Sequence, residues 1–181
     1  MRTVLIALVT AVVVTSTSYA QEHTSEWKMA NAMSAAPASV SGAAAIMDWD
    51  HTVLRPGSNG WTCLPDMPET PGNDPMCLDA PWLAWAEAYM GKTTPSITHM
   101  GFGYMLAGDS PASNTDPFAE GPTATNEWME HGGPHLMIVV SDAAQLTGLS
   151  HDPTTGGPWV MWRDTPYAHI MVPVPSPEMR H

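Results

Sequence analysis

Residues 134–140 read Pro-His-Leu-Met-Ile-Val-Val, and residues 168–174 read Ala-His-Ile-Met-Val-Pro-Val. Both read as short strands. In a strand, residues i and i+2 share a face. His135 and Met137 therefore share one face, opposite Leu136, Ile138 and Val140. His169 and Met171 repeat the pattern, opposite Ile170, Val172 and Val174. A third strand is expected over residues 97–106. It sets His99 and Met105 on one face and Met100, Phe102, Tyr104 and Leu106 on the other. Each of these strands has an unbroken apolar face, as packing requires. In the third strand Gly101 and Gly103 share the opposite, His99/Met105 face, so another element or a ligand comes close to the backbone there.

If the three strands are neighbours, one sheet surface gathers imidazoles and thioethers. Neutral imidazole binds copper and zinc, and thioether sulfur is soft and suits Cu(I). The expected function is therefore metal binding, with copper held by His135, Met137, His169 and Met171. His99 and Met105 are reserve ligands. Methionine is also a common core filler, and the chain carries 14 of them.

The first residues suggest a compartment. Arg2 precedes an apolar run over residues 4–14, and Ser18-Tyr19-Ala20 supplies small residues at a cleavage position. This reads as a signal peptide over residues 1–20, leaving residues 21–181 as one exported domain. The apolar run is too short to span a bilayer. A periplasmic or secreted protein, free of the membrane after cleavage, is expected. Formal net charge is −12, and loss of Arg2 makes it more negative. Such a chain has no basic patch for nucleic acid. The partner expected is a metal ion or a small molecule. Eight Trp argue for a packed interior or an aromatic-lined pocket.

Cys63 and Cys77 make an even count in an exported chain, which suggests a disulfide. The segment between them has four prolines and no regular pattern, and closing it contributes about 3 kcal/mol in the chain-entropy picture. Residues 25–36 read as a helix capped by Ser25 and stopped by Pro37. Residues 38–42 read as a connector. Residues 44–49, extending toward Leu54, and residues 61–64 read as strands able to pair as a hairpin. Residues 81–90 form the clearest helix, with Asp79 as cap and Gly91 as stop. Its Trp82, Trp85, Ala86 and Tyr89 follow i, i+3, i+4, i+7, a stripe expected in the core. Residues 107–126 read as a long loop and residues 142–149 as a short helix. Residues 159–162 form a further strand before residues 168–174. Strands and helices lack a βαβ rhythm. The fold class is α+β, a mainly antiparallel sheet with two or three helices and long Pro/Gly-rich loops.

At Trp61-Thr62-Cys63, Pro75-Met76-Cys77, Tyr104-Met105-Leu106, Ser113-Asn114-Thr115-Asp116-Pro117, Gly133-Pro134-His135 and Thr165-Pro166-Tyr167-Ala168-His169, the chain resembles a group of small exported bacterial proteins of unassigned function. The resemblance covers most of residues 21–181. It implies one exported domain and carries no catalytic residue.

Two other readings stand beside the metal site. Asp109, Asn114 and Asp116 in the long loop can meet His135 and His169, since a carboxylate orienting an imidazole suits acid–base catalysis of a small molecule. Ser110 and Ser113 are hydroxyls in the same loop, but neither sits in a nucleophile elbow. Alternatively the chain is a non-catalytic binding or scaffold protein whose histidines are satisfied in the core. No phosphate loop or dinucleotide fingerprint is present.

Overall fold

The computed structural model describes residues 23–175. The expected leader, residues 1–20, lies outside them. Helix α1 (Ser25–Ser34) is capped by Thr24, one residue before the expected Ser25. The Thr24 hydroxyl accepts from the Trp27 amide at 3.2 Å. Pro37 ends the helical run and then opens a second turn of helix, α2 (Ala38–Ser41), where a connector was expected. Proline suits this position because its missing N–H has no partner at a helix start.

Strands β1 (Ala45–Met47), β2 (Val53–Arg55), β3 (Thr62–Leu64) and β4 (Met76–Leu78) follow. The hairpin is β1 with β2, and β3 joins β1 in parallel rather than as its hairpin partner. Cys63 and Cys77 face each other across the β3–β4 pair and form the disulfide. The proline-rich segment they close is also tied by side-chain bonds, within itself and to Ser110. Asp74 accepts from the Met67 amide at 3.1 Å and from the Ser110 hydroxyl at 2.6 Å, and Asp66 accepts from the Asp74 amide at 2.8 Å. These bonds replace the regular backbone pairing that its prolines forbid.

Helix α3 (Ala80–Met90) starts where expected, with the Asp79 carboxylate accepting from the Trp82 amide at 3.1 Å. It leads into β5 (Gly101–Met105). A small ribbon, β6 (Ala112–Ser113) with β7 (Trp128–Met129), interrupts the expected long loop. Strands β8 (His135–Val139), β9 (Trp159–Met161) and β10 (His169–Pro173) complete the sheet. The expected helix after Ser141 is a single 3-10 turn, Ala143–Leu146. The eight-stranded order is β2-β1-β3-β4-β5-β8-β10-β9, and every pairing except β1–β3 is antiparallel. With three α-helices on a mainly antiparallel sheet, the fold is α+β.

The core lies on two sides of this sheet. Helices α1 and α2 cover the disulfide end, where Ala32, Ala35, Ala44 and Ile46 are buried with both cysteines. Helix α3 crosses the opposite face through Trp82 and Trp85, against Met105, Met137, Val139, Met161 and Met171. It comes close because Gly101 and Gly103 lack side chains. A methyl group at Gly101 would lie 2.7 Å from Pro81 Cβ and 2.9 Å from the Trp82 amide nitrogen. The close neighbour that the glycines imply is thus a helix. Gly101→Ala is expected to cost about 1–3 kcal/mol through overpacking. An unchanged denaturation midpoint would show that α3 is not seated there.

Candidate functional site

Strands β5, β8 and β10 are neighbours, and their pairing register defines the surface under α3. Met105 lies opposite His135, and Gly103 opposite Met137. Met137 lies opposite Met171, and His169 opposite Met161 on β9. Directly opposed residues of an antiparallel pair project from the same face. Each histidine therefore has one methionine across the strand and another two residues on. For His135 these are Met105 and Met137; for His169 they are Met161 and Met171. The Met137–Met171 pair sits between the two halves.

This His/Met face is the buried one. His135, His169, Met105, Met137, Met161 and Met171 are all buried, whereas Leu136, Ile138, Ile170 and Val172 on the reverse face are half-buried and Phe102 is 38% exposed. The aliphatic side expected to be core is thus the more open side. Helix α3 determines this, since its indoles cover the methionines, whereas the α1/α2 cluster reaches the reverse face at Tyr104 on β5.

Both histidines are held alike. His135 Nδ1 is 2.7 Å from the Gly133 carbonyl oxygen, and His169 Nδ1 is 2.9 Å from that of Tyr167. A carbonyl only accepts, so each Nδ1 carries the proton and each Nε2 the lone pair. Burial holds both imidazoles below the ordinary value of 6.5. The carbonyl contact opposes burial in each case, and His169, with a small further lowering from His135, is pushed down to about 4. Both are neutral at neutral pH. The His169 ring meets Trp82, Trp85 and Trp162 edge-on, at centroid distances of 5.4, 5.2 and 5.1 Å.

The two Nε2 atoms differ in surroundings. His135 Nε2 is sealed and has no hydrogen-bond partner among the described residues. Asp109 Oδ2 is 3.9 Å away, beyond hydrogen-bond range. Burial pushes the Asp109 carboxyl up to about 7, against the Ser110 amide that donates to it, and the nearby Asp74 charge adds to the rise. His169, by contrast, lines a cleft of about 350 Å³ between α3 and the sheet. Met105, Met137, Met161 and Met171 line it too, as do Asp109 and Ser110.

The other expected site residues lie elsewhere. His99 is outside β5, exposed, and bonded to the Thr98 hydroxyl at 3.0 Å; the strand begins later than expected, at Gly101. Met105 does belong to the face. Asn114 is buried, but its side chain is used up. Its amide nitrogen donates to Glu127 Oε2 and the His151 carbonyl, and its oxygen accepts from Trp159 Nε1. Asn114 fastens three segments together. Asp116 is exposed and accepts from the Phe118 amide at 2.9 Å, closing a turn. The Ser113 hydroxyl accepts from the Thr115 and Asp116 amides, so it is a turn former. Ser110 donates to Asp74 and accepts from the Gly72 amide.

Met161 and Trp162 were not expected at the site. Alternation along residues 159–161 puts Trp159 and Met161 on one face, a signal available in the chain. No local signal marks Trp162, whose indole N–H donates to the Ser113 carbonyl at 2.7 Å and whose φ is positive.

Among the described residues no group of three or more His, Cys, Asp or Glu is arranged to hold a metal ion. No family model matches the chain, and neither a curated protein nor a solved structure matches it.

Proposed function

We propose that the protein binds Cu(I) on the His/Met face. One observation carries this reading: the register gives each buried imidazole a methionine across the strand and another at i+2 on the same face. Imidazole with two thioethers is a soft set that favours Cu(I) over harder divalent ions. The Nδ1–H donated to a backbone carbonyl fits too, since ligating histidines generally anchor their other nitrogen in this way. A neutral imidazole offers its lone pair without competition from a proton.

The backbone separates the two halves. His135 lies opposite Pro173, four residues along β10 from His169, which is about 14 Å of strand. One ion takes one imidazole. His169 with Met161 and Met171 is the open half, because it faces the cleft. His135, whose Nε2 is sealed, makes the other half with Met137 and Met105, which also reach the cleft. We assign the protein to the periplasm or the exterior, on the leader-like residues 1–20 and the Cys63–Cys77 disulfide, which suits an oxidising compartment.

Anaerobic titration of the mature chain against a colorimetric Cu(I) chelator tests the reading. It is expected to retain Cu(I) in a ratio near one per chain. Met161→Leu and Met171→Leu are each expected to weaken retention by about tenfold or more, the scale on which single changes around metal sites act. Unchanged affinity in both variants would remove thioether ligation.

A further inference from the structure

The cleft beside His169 is larger than an ion needs, and its chemistry is one-sided. Its walls are methionine side chains and the rings of Trp49, Trp82, Trp85, Tyr89 and Trp162. The polar groups that reach it are few, and most are already used. Asp74 and Ser110 bond to each other and to backbone amides. The Thr70 hydroxyl donates to the Met67 carbonyl. Two groups remain: Asp109, and His169, whose Nδ1 is taken by Tyr167 while no hydrogen bond engages its Nε2 among the described residues. His169 is 2% exposed and is an acceptor at that atom.

Unlike His135 Nε2, which is sealed, the His169 Nε2 atom is not closed off from the cleft, so a ligand that brings a donor there gains a hydrogen bond in an apolar setting. The rest of such a ligand has to match apolar and aromatic walls. Charge narrows the class further. Asp109 and Asp74 line the cleft in a chain of net charge −12, so an anion is repelled. A strongly hydrated cation, unlike the soft Cu(I), would lose its water shell among thioethers and rings without gaining ligands that suit it.

We infer that the cleft binds a neutral aromatic molecule of the phenol class, with its O–H donating to His169 Nε2 and its ring against the Trp and Met walls. The inference does not rest on the copper reading. The two share one lone pair, so Cu(I) and the phenol exclude each other.

The test uses copper-free, chelator-treated mature protein and two probes of nearly one shape, p-cresol and p-xylene, followed by calorimetry and tryptophan emission. p-Cresol is expected to bind about tenfold or more tightly than p-xylene, because only it supplies the donor. His169→Phe keeps an aromatic ring and is expected to bring p-cresol down to the p-xylene level. If that variant does not fold, the nitrogen resonance of His169 Nε2 in the unaltered protein gives the same answer, since a new hydrogen bond shifts it. p-Cresol binding is read on copper-free protein and Cu(I) retention is read without p-cresol, so either reading can fail while the other stands. Equal affinity for both probes, no binding of either, or an unmoved Nε2 resonance on saturation with p-cresol each overturns the inference.

Discussion

Asp109→Asn is expected to stabilise the protein at pH 8 by up to about 4 kcal/mol and to change the slope of stability against pH. The carboxyl rises from its ordinary 3.8 to about 7 in the fold. Between those values the folded state holds a proton that the unfolded state has released, so stability falls as pH rises through this window. Above pH 7 the fold carries the full penalty of a buried carboxylate. Asparagine removes the charge and still accepts from the Ser110 amide. His169 acts in the opposite sense. Its value drops from 6.5 to about 4, so the unfolded state takes up a proton first as pH falls. Stability present above pH 6.5 is lost toward pH 4, by about 3 kcal/mol. Asp66, raised by burial, adds to the first slope, and His135, lowered by burial, adds to the second. The native chain should therefore show a shallow profile between pH 4 and 6.5 as these slopes oppose. Asp109→Asn should show stability rising with pH there, and His169→Phe should show it falling. Urea titrations across this range measure all three. Parallel profiles for Asp109→Asn and the native chain would mean that Asp109 keeps an ordinary carboxyl.

Trp82→Ala is expected to destabilise by about 3–5 kcal/mol, a large share of the roughly 5–15 kcal/mol a domain has. Trp82 is 3% exposed and sits where α3 meets the sheet. Its indole N–H donates to the Met137 carbonyl at 2.9 Å, and its ring meets Trp85 edge-on at 4.4 Å. Truncation opens a cavity over Gly103 and Met137 and removes that donor. Trp82→Phe keeps most of the volume and loses the N–H, so it should cost only about 1–2 kcal/mol. The difference between the two variants, read from denaturation midpoints, separates packing from the hydrogen bond. A loss below about 1 kcal/mol for Trp82→Ala would mean that α3 does not hold the His/Met face closed.

Much of the local structure was legible in particular residues. Asp79, Pro81 and Gly91 bracket α3, and its Trp82–Trp85 spacing identifies the stripe it buries. The Cys63–Cys77 bridge follows from count and spacing, and the His-x-Met alternation marks β8 and β10. Errors arose where a boundary or a partner lies far along the chain. The parallel β1–β3 pairing joins segments separated by a hairpin, and nothing in residues 44–64 distinguishes it from the expected antiparallel pair. Asn114 looked like a loop ligand, yet its three partners come from residues 127, 151 and 159.

The chain by itself determined that His135 shares a face with Met137, and His169 with Met171, because alternation is a property of the extended backbone at one place. It also determined that each of these strands has an aliphatic face. Which of the two faces closes, and which histidine opens on a cleft, was decided only in the tertiary structure. The deciding element is α3, whose indoles seat on Gly101 and Gly103 and so bury the methionines rather than the aliphatic side. Burial is a relation between distant segments, and a period-two pattern is symmetric with respect to it.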